Sequence, residues 1–294
     1  MTAAHCYALF GLSIASELAL PGFPEGDGDP DVAARFGAVA AQDRPVAVAD
    51  DALFLSVPEV GRFRIADGRE ILIDPEPGAS ERNLRVYLLG SAMGALLHQR
   101  GILPLHANAV AHGERAVAFA GRSGAGKSTL AAWFAGFGRE VLCDDVCAIG
   151  RDEAGAPLVL PGVPRLRLWS DALARSGRDS MAYDRSFDGQ DKYDVPVPPS
   201  APSTPRPLAA CYLLDEAQGA PTIERLSPGE AAEALVANTY RGGFVRLLGL
   251  TERHFAQCVS LARSVPVYRA RRRWGEAFLD EEAERLSRHV GEML

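Results

Sequence analysis

The chain has 294 residues, a mass of 31.4 kDa and a formal net charge of −7, with 47 % hydrophobic and 23 % charged residues. That balance suits one large globular unit or two modest ones and excludes coiled coil and disorder. No apolar run is long enough to span a bilayer, and the net negative charge argues against broad nucleic-acid or anionic-membrane binding.

Five cysteines at irregular spacings make no disulfide framework, so a reducing, cytoplasmic setting is expected. Glu17 interrupts the first apolar stretch and no basic region precedes it, so no signal peptide is expected.

Residues 1 to about 78 read as β-rich. Tyr7 to Ile14 and Ala52 to Val57 are strand-like, and Pro21 to Pro30 is a Gly/Pro/Asp loop. Phe63-Arg64-Ile65 and Ile71-Leu72-Ile73 flank Ala66-Asp67-Gly68 and predict a hairpin. Ser80 then caps a helix to Gln99, with Val86, Leu89, Met93, Leu96 and Leu97 on one face and Gly101 just past its end. This helix bridges into a second half.

His106 to Ala111 and Ala116 to Ala120 are short apolar runs. If Gly113-Glu114 is a two-residue type II′ hairpin turn, the register sets Gly121 opposite His106. His106 then stands at the mouth of whatever Gly121 begins.

Gly121 begins Gly121-Arg122-Ser123-Gly124-Ala125-Gly126-Lys127-Ser128, which fits GxxxxGK[ST] in full. A strand leads in and a helix-competent run from Thr129 to Phe137 leads out. Glycines let backbone N–H groups turn inward on phosphate oxygens, and the helix N-terminus adds its partial positive charge. Gly121, Ser123, Gly124, Ala125, Gly126, Lys127, Ser128 and Thr129 are therefore the expected ATP-binding residues. Lys127 reaches the β/γ-phosphates and the Ser128 hydroxyl ligates Mg²⁺. Lys127 and Lys192 are the only lysines among 31 basic residues, which makes each one informative.

Val141-Leu142-Cys143-Asp144-Asp145 is a short strand ending in two carboxylates. Such a strand is expected beside the one that enters the glycine-rich loop. Neighbouring strand residues face opposite ways unless the strand has already ended. One carboxylate can hold Mg²⁺ while the other serves as base toward an acceptor hydroxyl.

The stretch from about 171 to 206 is turn-rich and polar, as a lid or substrate loop would be, and it contains Lys192. Lys192 is expected to close over the γ-phosphate or the acceptor. A strand is expected at Ala209 to Leu214, and helices near 228–240, 252–263 and 280–292. Ser227-Pro228-Gly229-Glu230 is a capping box.

His106, Gly121 to Ser128 and Val141 to Val146 together resemble the catalytic core of HPr kinase/phosphorylase. A closer resemblance is to the HPr kinase-like proteins of lasso peptide biosynthesis, through Leu103-Pro104-Leu105-His106-Ala107-Asn108-Ala109-Val110, the run Pro161 to Trp169, and Val265-Pro266-Val267-Tyr268. The resemblance covers most of residues 80 to 275.

It implies an α/β fold with a P-loop core and mixed sheet, a β-rich N-terminal region with the bridging helix (1–98), and a catalytic domain (99–294) closed by C-terminal helices. It implies an ATP- and Mg²⁺-dependent kinase acting on a serine of a peptide or small protein, most simply the C-terminal serine of a lasso precursor. A carrier protein, a small alcohol or a non-catalytic regulatory role are the alternatives.

By the same resemblance, Asp144 deprotonates the serine, Asp145 assists or holds metal with Ser128, and His106 lies at the phosphate. The reverse assignment of the aspartates stays open, as does homo-oligomer assembly. HPr kinases carry a Glu before an Arg-Gly-Leu-Gly motif, where this chain has Leu160-Pro161-Gly162 and no carboxylate. Phosphorolysis and HPr as substrate therefore do not follow, and Arg165 and Arg167 are the charges at that edge.

Overall fold

The computed structural model describes residues 5–163, 165–175, 179–197 and 204–293. Pro164, inside the run Pro161 to Trp169, and residues 176–178 and 198–203, inside the turn-rich stretch, lie outside the described residues. The described strands form three sheets, and the chain is mixed α/β.

The first sheet holds β1 (His5–Leu9), β2 (Leu12–Ser16), β3 (Val32–Phe36), β4 (Val46–Ala49), β5 (Ala52–Val57), β6 (Gly61–Ala66) and β7 (Glu70–Pro75), in the order β1-β2-β3-β7-β6-β5-β4. The β6–β7 hairpin is the predicted one. Tyr7 to Ile14 is not one strand but a hairpin. It turns at Phe10 (φ 54°) and Gly11 (φ 70°), the paired left-handed residues of a tight two-residue turn.

Ser80 caps α1 (Glu81–Tyr87), accepting a hydrogen bond from the Asn83 N–H. A π-helical turn, Leu88–Ala92, separates it from α2 (Met93–Arg100). Gly101 (φ 74°) ends α2 in the left-handed conformation. Leu88, Leu89, Ala92, Met93, Leu96 and Leu97 pack into one core with the first sheet and with Val146 and Ala148 of the second half. The helix thus joins both halves through apolar burial.

The second sheet begins with β8 (Leu103–Leu105), β9 (Ala107–His112) and β10 (Arg115–Ala120). The β9–β10 register pairs Arg115 with His112 and Ala120 with Ala107, as the Gly113-Glu114 turn requires. α3 (Lys127–Gly136), β11 (Val141–Cys143), β12 (Cys147–Arg151) and β13 (Pro157–Leu160) follow. Contrary to expectation, the aspartate strand does not lie beside the loop strand. β9 sits between β11 and β10, so the histidine strand separates the two.

β14 (Arg165–Trp169), α4 (Ser170–Arg175), β15 (Asp184–Arg185) and β16 (Lys192–Pro196) come next, and the three strands form a small antiparallel sheet. The turn-rich stretch is therefore partly sheet, and Lys192 stands on a strand rather than in a loop. Finally β17 (Arg206–Glu216), β18 (Thr222–Arg225) and β19 (Val267–Arg272) complete the second sheet, with β10, β17 and β19 running parallel. α5 (Pro228–Ala237), α6 (Gly243–Leu247), α7 (Thr251–Ser264) and α8 (Leu279–Met293) form the C-terminal helices, with the Ser227–Glu230 capping box on α5.

An aromatic row fixes α3 on this sheet. Phe119 on β10 stacks on Phe134 of α3 at 5.5 Å and on Tyr212 of β17 at 5.5 Å, and Tyr212 stacks on Tyr268 of β19 at 5.2 Å. Such pairs add about 0.5–1.5 kcal/mol each beyond area burial.

The two halves also meet at a backbone clasp. The Phe10 N–H donates to Pro161 O at 2.7 Å and the Gly162 N–H donates to Leu142 O at 2.7 Å. A Cβ on Gly162 would stand 2.7 Å from Cys143 Cβ and 3.2 Å from the Phe10 ring. Gly162→Ala should therefore lower unfolding free energy by about 1–3 kcal/mol in a denaturant titration, the cost of overpacking. An unchanged midpoint would show that the clasp yields freely.

Candidate functional site

The loop Gly121–Gly126 joins β10 to α3, and its turns need residues without a Cβ: Gly121 (φ 155°), Gly124 (φ 83°) and Gly126 (φ 73°). At Gly126 a Cβ would meet the Arg272 guanidinium at 2.8 Å. Arg272, the last residue of β19, is buried and donates to Ala125 O. Burial lowers it to about 10. On the other flank the buried Asn108 side chain donates to Lys127 O, tying β9 to the first turn of α3.

Lys127 turns back onto the loop. Its ammonium donates to Gly121 O at 2.8 Å, Arg122 O at 3.1 Å and His106 Nε2 at 3.0 Å. An ammonium can only donate, so Nε2 accepts and the His106 proton sits on Nδ1. Nδ1 in turn faces the Asp145 backbone oxygen at 3.2 Å and Asp145 Oδ1 at 3.2 Å. Burial lowers Lys127 to about 8, against the opposing pull of Asp145 and Asp144.

Strand β11 ends at Cys143, and Asp145 lies at φ 73°. That left-handed turn brings both carboxylates to one cavity, where a continued strand would have split them. Asp144 accepts from the Ser128 hydroxyl at 2.9 Å and from the Arg167 N–H at 2.9 Å. Burial raises its proton affinity, and those two hydrogen bonds only partly offset the rise. For Asp145, burial also pushes upward. The His106 hydrogen bond and the charges of Arg167 and Lys192 outweigh it and hold the carboxyl well below the usual range. Exposure separates them further: Asp144 is buried, whereas Asp145 is only partly buried.

Ser123 to Thr129, both aspartates, His106 and Lys192 line a single cavity of about 290 Å³, close to the lower end of ligand-site volumes. The structure therefore brings together the sequence-derived site residues, except that Gly121 contributes through its carbonyl to Lys127. Lys192 Nζ lies 5.7 Å above the Trp169 ring centroid, and both residues line the same cavity as Lys127.

Arg272, Arg273 and Trp274 also line the cavity and escape the sequence reading. The only signal for them is the arginine run Arg271 to Arg273, shortly after Val265 to Tyr268. Arg122 stands 5.3 Å over the Trp274 ring.

The donors suit a hard divalent cation. Ser128 Oγ and Asp144 share one position, and magnesium typically takes few protein oxygens and completes its shell with water and phosphate. No group of three or more His, Cys, Asp or Glu able to hold a metal occurs among the described residues. No described helix is long and apolar enough to cross a membrane.

No family model matches the chain, and no curated protein matches it. Among solved structures it is similar to the HPr(Ser) kinase/phosphatase from Coxiella burnetii. Identity is 15 % and the TM-score is 0.34, over 64 % of this chain and 98 % of that one.

The lowered proton affinity of Lys127 has a measurable consequence. Free Lys127 loses its proton above about pH 8, while phosphate contact would favour the charged form. Nucleotide binding should then take up a proton, and affinity should fall by up to about tenfold per pH unit above 8. Titration calorimetry of Mg-ADP between pH 7 and 9.5 checks this. A flat profile would mean that Lys127 does not meet the phosphates.

Proposed function

We propose that this chain is a cytoplasmic, ATP- and Mg²⁺-dependent kinase that transfers the γ-phosphoryl group to a serine hydroxyl. One observation carries the reading. Lys127, Ser128, two carboxylates of opposite electrostatic character and Lys192 face one cavity at the N-terminus of α3. A plain glycine-rich turn has no use for that set.

Ser128 and Asp144 would hold magnesium, which supplies neutralisation of the phosphate charge when bound. Lys127 leaves the loop carbonyls for the β/γ-phosphates, and Lys192, on β16, approaches within the same cavity. Asp145 is the more exposed carboxylate and is kept ionised, so it orients the acceptor hydroxyl and takes its proton. The family resemblance implies the other assignment, with Asp144 as base. The Ser128–Asp144 hydrogen bond and the burial of Asp144 favour the exchange. A loose phosphoryl-transfer transition state asks the base for position more than for strength. The acceptor that the family resemblance implies is the C-terminal serine of a lasso precursor peptide.

Mass spectrometry of serine-ended and serine-lacking precursor peptides with ATP and Mg²⁺ tests the reading. One phosphate is expected on the serine-ended peptide alone, and none with Lys127→Ala. Asp145→Asn should lower kcat by about 10²–10⁴ with nucleotide affinity kept, while Asp144→Asn should chiefly raise the Mg²⁺ concentration required. Full turnover in Asp145→Asn would return the base role to Asp144. ATP binding without transfer to any hydroxyl would leave a nucleotide-binding regulator.

A further inference from the structure

Two substrates need two mouths, and β14 and β16 form a wall common to both. Arg165, Arg167 and Trp169 alternate with buried Leu166 and Leu168, so the first three share one face. Their partners across the ladder are Pro196, Asp194 and Lys192. The Trp169–Lys192 rung lines the cavity of the glycine-rich loop. The Arg165–Pro196 rung lines a second cavity of about 600 Å³, closed on the other side by Phe23 and α1. The middle rung is Arg167–Asp194, and Arg167 lines both cavities.

Arg167 is also the link to the chemistry. Its guanidinium lies 3.5 Å from Asp145 Oδ2 and 3.7 Å from Asp194 Oδ1. Arg165 reaches the same Asp194 at 2.5 Å and stands 5.3 Å from the Phe23 ring centroid. Its Nε is buried and has no hydrogen-bond partner among the described residues. Asp194, fixed further by the Ser186 hydroxyl at 2.6 Å, therefore holds two guanidiniums side by side, and Arg167 divides its contacts between Asp194 and Asp145. An anion seated on this pair lies within one residue's length of the Asp145 carboxylate.

We propose that the second cavity is the acceptor site and that Arg165 and Arg167 clamp a carboxylate borne on the same residue as the reacting hydroxyl. This rests on the kinase reading and sharpens it. The acceptor is a β-hydroxy acid unit, either the free end of a peptide chain or a free hydroxy amino acid. Planar guanidinium forks recognise a carboxylate in two-point fashion, and an amide would forfeit a charge-assisted pair.

The test uses N-acetyl-Gly-Ala-Ser as free acid, the same peptide as C-terminal amide, and free serine. Each is titrated by calorimetry into the whole chain with Mg²⁺ and a non-hydrolysable ATP analogue. The acid should bind at least about tenfold more tightly than the amide. Arg165→Gln should remove most of that preference and leave amide affinity in place, and Arg165→Lys should keep part of it. Free serine matching the acid peptide would identify a small hydroxy acid as the source, and weaker serine binding a chain end.

Equal binding of acid and amide by the wild-type chain overturns the clamp whatever becomes of the variants, as does full preference in Arg165→Gln. Failure of all three ligands to bind does the same. The underlying reading is scored separately with ATP in place of the analogue. Preferred binding of the acid without phosphate transfer sustains the clamp and removes the kinase. Equal transfer to acid and amide sustains the kinase and removes the clamp.

Discussion

A buried ammonium must be satisfied from several sides at once, and Lys127 sets that demand on this molecule. Its three acceptors come from the entering loop, through Gly121 and Arg122, and from His106 before β9. Meeting them requires the loop to curl through left-handed glycines and the β9–β10 hairpin to hold its register to the last pair. It also fixes the His106 tautomer, and through Nδ1 it reaches Asp145. Asp145 then reaches Arg167 and the wall of β14 and β16. The network runs from one side of the cavity to the other without leaving side chains that can change partners. Loosening the grip on Lys127 frees both it and His106 Nε2.

The surroundings keep this network rigid. Arg272 braces the loop from β19, Asn108 braces α3 from β9, and the Phe119–Tyr212–Tyr268 row holds the helix on the sheet. Leu89 and Gly90 of the π-helical turn Leu88–Ala92 line a small cavity together with Asp144 and Asp145. π-turns occur often at functional sites, because they bend a helix face to a shape a regular α-helix cannot take. Here the turn lets one helix serve both the first sheet and the back of the site.

Much of this was legible from residues alone. The Gly113-Glu114 turn dictates the hairpin register, Ser80 and Gly101 mark the helix ends, and the glycine-rich loop is placed between its strand and helix. What was not legible has physical causes. β16 alternates Lys192, Asp194 and Pro196 with buried Tyr193 and Val195 because one face lines cavities, so within a polar, turn-rich stretch it reads as loop. The insertion of β9 between β10 and β11 is a matter of long-range pairing, which local pattern does not encode. The left-handed turn at Asp145 depends on the end of β11 and decides that the carboxylates converge. Arg272 is far along the chain from the loop it supports, and only the parallel order β10-β17-β19 brings it there.

For the proposed kinase, the Lys127 ammonium must change partners when nucleotide arrives. A crystal structure of the chain with Mg²⁺ and a non-hydrolysable ATP analogue tests this most directly. Lys127 Nζ is expected on the β/γ-phosphate oxygens, away from Gly121 O and Arg122 O, with the Ser128–Asp144 hydrogen bond opened to hold magnesium. Nucleotide bound elsewhere, with Lys127 still on the loop carbonyls and His106, would contradict it.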